Sequence, residues 1–373
     1  MDNRQKIFST SDRFFFMALG LVLAIGVLSI YSVTGLSPTS SSTKGAPLYL
    51  KQIYWIVVGG LAFLMSAWVN YREIIRYAYA IYGITVFLLV LVPLIGRSGM
   101  GAQRWIAIGN FSFQPSELAK IGTLLAMAKY FSDHYPEDGL TLRELLVPSG
   151  ILLLPMILIM KQPDLGTALS ILSIFLSMIF IIGFHSRFLV YSILLSVMSF
   201  PFIGLSIWTH LKTYQRERIL TFMNPSSDPA GTGYQIIQSK IAIGSGGFFG
   251  KGFLGGTQSQ LRFLPERHTD FIFSVLAEQW GFIGVATLFI LFFLIILWAI
   301  EVAAISKDIS GSLISIGVIG LIFFYFFVNV GMTLGVMPVV GVPLPLISYG
   351  GSAMVTTLAM LGLLLNIKLR RWT

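Results

Sequence analysis

The feature that most constrains this chain is the recurrence of long apolar runs. A helix needs about 20 predominantly apolar residues to cross the hydrocarbon core of a bilayer. Runs of that kind lie near 14–32, 53–70, 77–95, 116–131, 146–161, 164–184, 188–208, 271–300, 312–335 and 346–367. Lipid offers the backbone no hydrogen-bond partners, so a crossing segment must satisfy its own as a helix. The sequence therefore predicts an all-α integral membrane protein with ten transmembrane helices, give or take a short one. Composition agrees: of 373 residues, 55% are hydrophobic and 11% charged, whereas a soluble domain carries about a quarter charged residues. The excess apolar surface has to face lipid. Arg4, Lys6 and Arg13 before the first run resemble the head of a signal peptide, but the run 14–31 is too long and no clear cleavage site follows. It is read as a retained first helix. No repeat with a period of about 20–50 residues is visible, so 1–373 reads as a single polytopic membrane domain.

An even number of spans puts both ends on one side, and basic residues say which. With the N-terminus inside, the inner segments hold twelve Lys and Arg residues and the short outer segments five. That predicts an N-in, C-in topology. The long segment 209–270 then lies outside and adds seven more basic residues, but long loops follow the charge rule poorly. The formal net charge of +9 is thus explained by orientation, with no need for a nucleic-acid partner. The chain has no cysteine, which excludes disulfides, thiolate metal sites and thiol nucleophiles.

Segment 209–270 is the one sizeable piece outside the apolar runs. A loop this long is usually functional or disordered, and this one is patterned. Its first part, 211–223, mixes Ile219, Leu220 and Phe222 with Arg216, Glu217 and Arg218, which suits an amphipathic helix on the outer leaflet. An apolar stretch at 234–243 leads into a glycine-dense run, 244–256. Gly250-Lys251 there is not a phosphate loop: Ser245 stands where the pattern needs glycine, and Gly252 where it needs Ser or Thr. A flexible or closely packed loop, or exposed N–H groups facing an anion, are the two readings left.

The charged residues that border the spans are the candidates for chemistry. Asp270 ends Pro265-Glu266-Arg267-His268-Thr269-Asp270 and opens the eighth span. It is either a helix N-cap or a carboxylate held at the membrane surface. Glu278, eight residues on, falls on roughly the same helical face, and charges inside spans usually face a cavity. Glu266, His268 and Asp270 could hold a divalent cation, a weak pattern. In Gln114-Pro115-Ser116-Glu117-Leu118-Ala119-Lys120, Glu117 and Lys120 share a helical face. They form either an ion pair or the charged wall of a substrate cavity. Asp164 is a cap or a site residue on the same side. Prolines 338, 343 and 345 around Ser348-Tyr349-Gly350-Gly351-Ser352 imply irregular backbone at membrane depth. Such backbone must be buried in protein or line a cavity, and here it predicts a polar cleft opening outward.

Asn329, Gly335, Pro338, Gly341 and the run 348–353, with their spacing, resemble the C-terminal motif of the shape, elongation, division and sporulation (SEDS) proteins. Segments 101–105, 114–120, 162–167, 214–218, 234–247 and 264–273 are similar to the same family, so the resemblance covers nearly the whole chain. The Gln-Arg-Trp and Gln-Pro-Ser-Glu wording is nearest the elongation branch. The resemblance implies a peptidoglycan glycosyltransferase of the bacterial cytoplasmic membrane. Such an enzyme polymerises lipid II and works with a class B penicillin-binding protein, the crosslinking transpeptidase. The family's essential aspartate carries over to Asp270 as the expected general base. Glu117 and Lys120 match cavity-lining positions; Arg104, Arg218, Lys240, Arg267 and Ser348 are further expected substrate contacts, with Arg262 another candidate cation. An α-linked donor giving a β-linked product requires inversion, hence one displacement and one base. Cations must absorb the charge on the leaving pyrophosphate, and a divalent ion (Mg or Mn) could share that role. The alternative is a lipid II flippase using the same cavity. Against it, a transport site at mid-membrane calls for interrupted helices in both halves of the chain. A non-catalytic scaffold for the penicillin-binding protein is the third reading.

Overall fold

The computed structural model describes residues 10–34, 46–99, 102–108, 111–136, 139–183, 213–229, 231–261 and 263–371. Helices α1 (Thr10–Thr34), α2 (Leu48–Trp68), α3 (Tyr71–Arg76) and α4 (Ala78–Ile95) come first. Three short strands follow, β1 (Arg97–Gly99), β2 (Ala102–Ile108) and β3 (Phe111–Phe113). Then come α5 (Pro115–Asp133), α6 (Leu142–Lys161) and α7 (Leu165–Ile182). The long loop contributes α8 (Thr213–Met223), α9 (Thr232–Gly246) and the single-turn α10 (Thr257–Gln260). The chain ends with α11 (Ile272–Ile305), α12 (Ile309–Thr333) and α13 (Gly351–Leu369).

Among the described residues, eight helices are long and apolar enough to cross a membrane: α1, α2, α4, α6, α7, α11, α12 and α13. Helix α5 is 19 residues long, or roughly 28 Å at the usual rise. It carries Glu117, Lys120, Lys129 and Asp133 and is therefore less apolar, yet most of it is buried. It packs against α4, α6, α7, α12 and α13, so Glu117 and Lys120 lie inside the bundle, where intramembrane charge is tolerated, while Asp133 at its other end is exposed. The predicted span 188–208 lies outside the described residues. Helix α13 is the most buried of the apolar helices and α2 the least.

Helix ends follow the sequence signals. Pro115 opens α5 in its first turn, where proline's missing N–H costs nothing. Asp164 and Asp308 accept from the backbone N–H groups of Thr167 at 3.2 Å and Gly311 at 3.1 Å, capping α7 and α12. Lys368 of α13 pairs with Asp12 of α1 at 2.8 Å and Glu301 of α11 at 2.9 Å. The start of α1 and the ends of α11 and α13 therefore share one end of the bundle, and the start of α11 lies at the other.

Two features of the fold depart from the sequence reading. The sequence predicts an all-α protein, yet β1, β2 and β3 form an antiparallel meander, with Arg97 opposite Trp105 and Ile106 opposite Phe113. The eighth span, read as continuous, is broken. Gly281 in α11 has φ 61° and ψ −158°, and the chain around 247–252 supplies the missing hydrogen bonds. Phe282 and Ile283 donate to the carbonyls of Gly247 at 2.9 Å and Phe248 at 3.2 Å, while Lys251 and Gly252 donate to those of Glu278 and Gln279, both at 3.0 Å. The glycine-dense run is thus a close-packed seam: a Cβ on Gly250 would stand 2.2 Å from the Gln279 carbonyl oxygen.

Candidate active site

The site is built at the end of the bundle where α11 begins. Residues 265–271 form consecutive turns that deliver Asp270 just ahead of α11. Asp270 is not the helix cap. Phe271 occupies that position and no side chain caps the helix. Among the described residues the Asp270 carboxylate makes no hydrogen bond or ion pair, while its own carbonyl is bound by Asn329 Nδ2 at 2.9 Å. The loop between α12 and α13 passes beside it. A Cβ on Gly341, whose φ is +73°, would stand 3.5 Å from Asp270 Oδ2.

Two opposing influences act on this carboxylate: a helix N-terminus favours its charged form, and an apolar setting the neutral one. In the structure the neutral form gains: burial first, then the nearby negative charges of Glu266 and Asp164, push Asp270 from 3.8 up to about 6. Arg218 and Arg104 pull the other way. Burial also holds His268 below the usual imidazole range.

Three chain segments far apart in sequence therefore bring charge to Asp270. Arg104 comes from β2. Its guanidinium donates to the carbonyl of Gln162 at 3.0 Å and to that of Pro163, and lies 4.0 Å from Asp164 Oδ2. Gln114 Nε2 donates to the same Asp164 oxygen at 3.0 Å. Asp164 thus caps its helix and also holds Arg104. Arg218 comes from α8 in the long loop, where the amphipathic helix was expected. Glu266 stands four residues before Asp270, so its nearness was legible in the sequence; that Asp164 also presses on Asp270 was not, since the two lie far apart in the chain.

The other expected site residues are placed elsewhere. Glu117 and Lys120 pair at 2.7 Å, both nearly inaccessible. Thr356 donates to Glu117 at 2.8 Å, and Lys120 donates to the Tyr325 hydroxyl at 2.9 Å. Beside them lies a cavity of about 20 Å³, lined by Lys120, Tyr325, Leu344, Ser348 and Met354 among others; this is room for about one water molecule. Of the two alternatives the ion pair is formed; the space beside it is of water size, not substrate size. Tyr325 and Thr356, its partners, had no signal in the sequence. The exposed Lys240 side chain lies over Gly335. Arg267 donates to the Ser259 carbonyl of α10. Ser348 donates to the Thr269 carbonyl at 2.6 Å and accepts from the Leu344 N–H at 2.8 Å, so its hydroxyl is engaged on both sides. Arg262 lies outside the described residues.

Glu278 is fully buried and bound to the glycine seam and α10 by Lys251, Thr257 and the N–H groups of Gln258 and Ser259. Glu266, His268 and Asp270 do not gather as a three-ligand set, and no such group of His, Asp and Glu occurs among the described residues.

The family model covering FtsW, RodA and SpoVE, described as cell cycle proteins, matches residues 12–372. Peptidoglycan glycosyltransferase MrdB of Escherichia coli K12 is 39% identical over 352 residues, covering 94% of this chain and 93% of that one. Peptidoglycan glycosyltransferase RodA of Treponema pallidum is 35% identical, covering 97% of this chain and 98% of its own. Among solved structures, a chain from a peptidoglycan synthase complex that coordinates polymerization and crosslinking matches with a TM-score of 0.82 at 34% identity, covering 98% of this chain and 100% of that one. The rod shape determining protein RodA of Thermus thermophilus matches with a TM-score of 0.69 at 30% identity, covering 96% and 97%. A family model matched over nearly the whole chain, and a fold shared over whole chains at this identity, leave one assignment: this multi-pass membrane protein belongs to the FtsW/RodA/SpoVE family.

Proposed function

We propose that this chain is a peptidoglycan glycosyltransferase of the elongation type, which polymerises lipid II with Asp270 as general base. The observation that carries the reading is the Asp270 carboxylate, raised to about 6 by burial and flanked by Arg104 and Arg218. A base of that strength is largely ionised at neutral pH yet takes a proton more readily than an ordinary carboxylate. The acceptor's GlcNAc 4-hydroxyl gives its proton to Asp270 as its oxygen bonds to C1 of the donor MurNAc. The bond from C1 to the pyrophosphate oxygen breaks, and the electron pair leaves with the pyrophosphate. Attack from the opposite face inverts the anomeric centre, so no covalent enzyme intermediate is needed.

Arg104 and Arg218 are the cations for the charge that develops on the leaving group. Arg104 is suited to it because two carbonyls and Asp164 fix its guanidinium in advance, so little reorganisation remains during the reaction. Among the described residues no group of three or more His, Asp or Glu side chains gathers to hold a metal ion. N-in, C-in topology puts Asp270 on the outer face of the cytoplasmic membrane, at the height where a lipid-linked sugar stands. The likeness to a chain of a synthase complex supports a crosslinking partner, a class B penicillin-binding protein.

The test is polymerisation of lipid II by the purified chain with its transpeptidase partner, wild type against Asp270→Asn, with and without divalent cation. Glycan strands from the wild type and none from the variant are expected. Normal polymerisation by the variant would remove Asp270 as the base.

A further inference from the structure

The turn that carries Asp270 is held in an unusual way. Turn carbonyls at a protein surface ordinarily bond to water. Here three successive ones are each taken by a different donor from the C-terminal part of the chain. The His268 carbonyl accepts from the Tyr349 N–H at 2.9 Å. The Thr269 carbonyl accepts from the Ser348 hydroxyl at 2.6 Å. The Asp270 carbonyl accepts from Asn329 Nδ2 at 2.9 Å. We propose that Asn329, Ser348 and the Tyr349 amide form a backbone clamp that aims Asp270, so that Asn329 and Ser348 are positioning residues rather than substrate contacts. The proposal rests on the reading of Asp270 as the base.

Each side chain does two jobs at once. Asn329 Nδ2 also donates to the Val342 carbonyl at 2.7 Å. The same amide thus holds the Asp270 backbone and the loop whose Gly341 faces the Asp270 carboxylate. Ser348 also accepts from the Leu344 N–H at 2.8 Å, which ties the far side of that loop to Thr269. Asn329 is fully buried and Ser348 is 5% exposed, so neither can reach a substrate without releasing the turn. Asn329 Oδ1 has no partner. A buried unsatisfied acceptor is a net cost, tolerated here alongside a donor that serves two carbonyls. An aspartate of the same shape could not replace it, because the oxygen in place of Nδ2 would face two carbonyl oxygens.

A carboxylate aimed through its backbone is sensitive to small displacements: an error of about 1 Å in a reacting group costs on the order of a hundredfold in rate. The clamp makes three demands. Ser348→Ala should lower kcat by roughly ten- to a hundredfold, with KM for lipid II near the wild-type value. The acid limb of its pH–rate profile should move to lower pH, as the freed carboxylate reaches water. Ser348→Thr, which keeps the hydroxyl, should recover most of the rate. Asn329→Asp should lose more than Ser348→Ala, because it removes the donor to two carbonyls and adds a charge.

The experiment is lipid II polymerisation by the full-length chain with its transpeptidase partner, as kcat, KM and pH profile, beside the melting temperature in detergent. A wild-type kcat and acid limb in Ser348→Ala would overturn the clamp, as would a raised KM at unchanged kcat, which marks a substrate contact. Should Ser348→Ala fail to fold, Ser348→Thr and Ser348→Cys decide, since the thiol is the weaker donor: kcat must fall from Thr to Cys, and equal values overturn the proposal. Asp270→Asn runs in parallel. If it still polymerises, the reading of the base has failed; if it is inactive while Ser348→Ala behaves as wild type, only the clamp has failed.

Discussion

Asp270 and Glu278 stand eight residues apart at the head of α11, and in sequence both are carboxylates at the edge of an apolar span. In the fold they are opposites. Glu278 is fully buried and accepts from Lys251 at 3.0 Å, Thr257 at 3.2 Å, and the N–H groups of Gln258 and Ser259 at 2.9 and 3.1 Å. Asp270 is partly exposed, its backbone is bound, and among the described residues its carboxylate has the fields of Arg218 and Arg104, without hydrogen bonds, to offset burial. Taking a charge out of water costs several kcal/mol unless partners replace the water. Glu278 has those partners, and its lone pairs are consumed by structure. Asp270 lacks them, and the cost appears as a raised proton affinity. The difference separates a carboxylate that holds a fold from one that can take a proton.

The sharpest way to break this comparison is to neutralise both. Asp270→Asn should reduce polymerisation by about 10²–10⁴-fold, the range for a lost general base, without lowering the melting temperature at pH 7. The sign follows from linkage. The carboxyl has a higher pKa folded, about 6, than its ordinary 3.8, so between those values the folded state holds the extra proton. Its contribution to stability is most favourable below about pH 4 and declines as pH rises through 6. At pH 7 the charged carboxylate is a burden, and asparagine removes it. Glu278→Gln should do the reverse. It puts an amide nitrogen among donors at a fully buried position, an unsatisfied group that costs about 1–3 kcal/mol, read as a lower melting temperature. The fraction that stays folded should keep its kcat. A Glu278→Gln protein with wild-type stability and no activity would erase the distinction.

A milder perturbation is pH alone. With the base near 6, kcat should be flat above pH 7 and fall as the carboxyl protonates, to about a tenth of its plateau at pH 5. The profile of Glu278→Gln should superpose on the wild type. An acid limb near pH 4 would mean that Asp270 behaves as an ordinary carboxylate and that burial does not govern it.

The sequence made one side of this comparison legible and not the other. The spans were readable because length and apolarity are local properties: 271–300 was expected where α11 runs over Ile272–Ile305. Asp270 stood out by its place at the edge of a span and by family resemblance. What each carboxylate meets was not readable, because partners are set by contacts distant in the chain. Asn329 and Ser348 lie 59 and 79 positions from the carbonyls they hold. The break at Gly281 was hidden for the same reason: its hydrogen bonds are completed by 247–252, and a glycine in an apolar run gives no sign of what will pack on it. The β-meander escaped notice because two of its strands have three residues, too short for an alternation to register.

The smallest effects come from adding one methyl group beside each carboxylate. Gly250 has φ +79°, and a Cβ there would stand 2.2 Å from the Gln279 carbonyl oxygen. Gly250→Ala must shift the seam that shelters Glu278, at about 1–3 kcal/mol, and should lower the melting temperature while leaving the pH profile alone. Gly341 has φ +73° but meets Asp270 Oδ2 at an ordinary 3.5 Å. Gly341→Ala should therefore cost only the left-handed strain of about 1–2 kcal/mol. Its distinctive effect is electrostatic: a methyl against Oδ2 excludes water from the carboxylate and raises its proton affinity further, so the acid limb should move to higher pH. A shift of a few tenths of a pH unit upward, measured beside an unmoved limb in Gly250→Ala, would show that the two carboxylates answer to separate surroundings. An equal shift in both would show that the seam and the site behave as one.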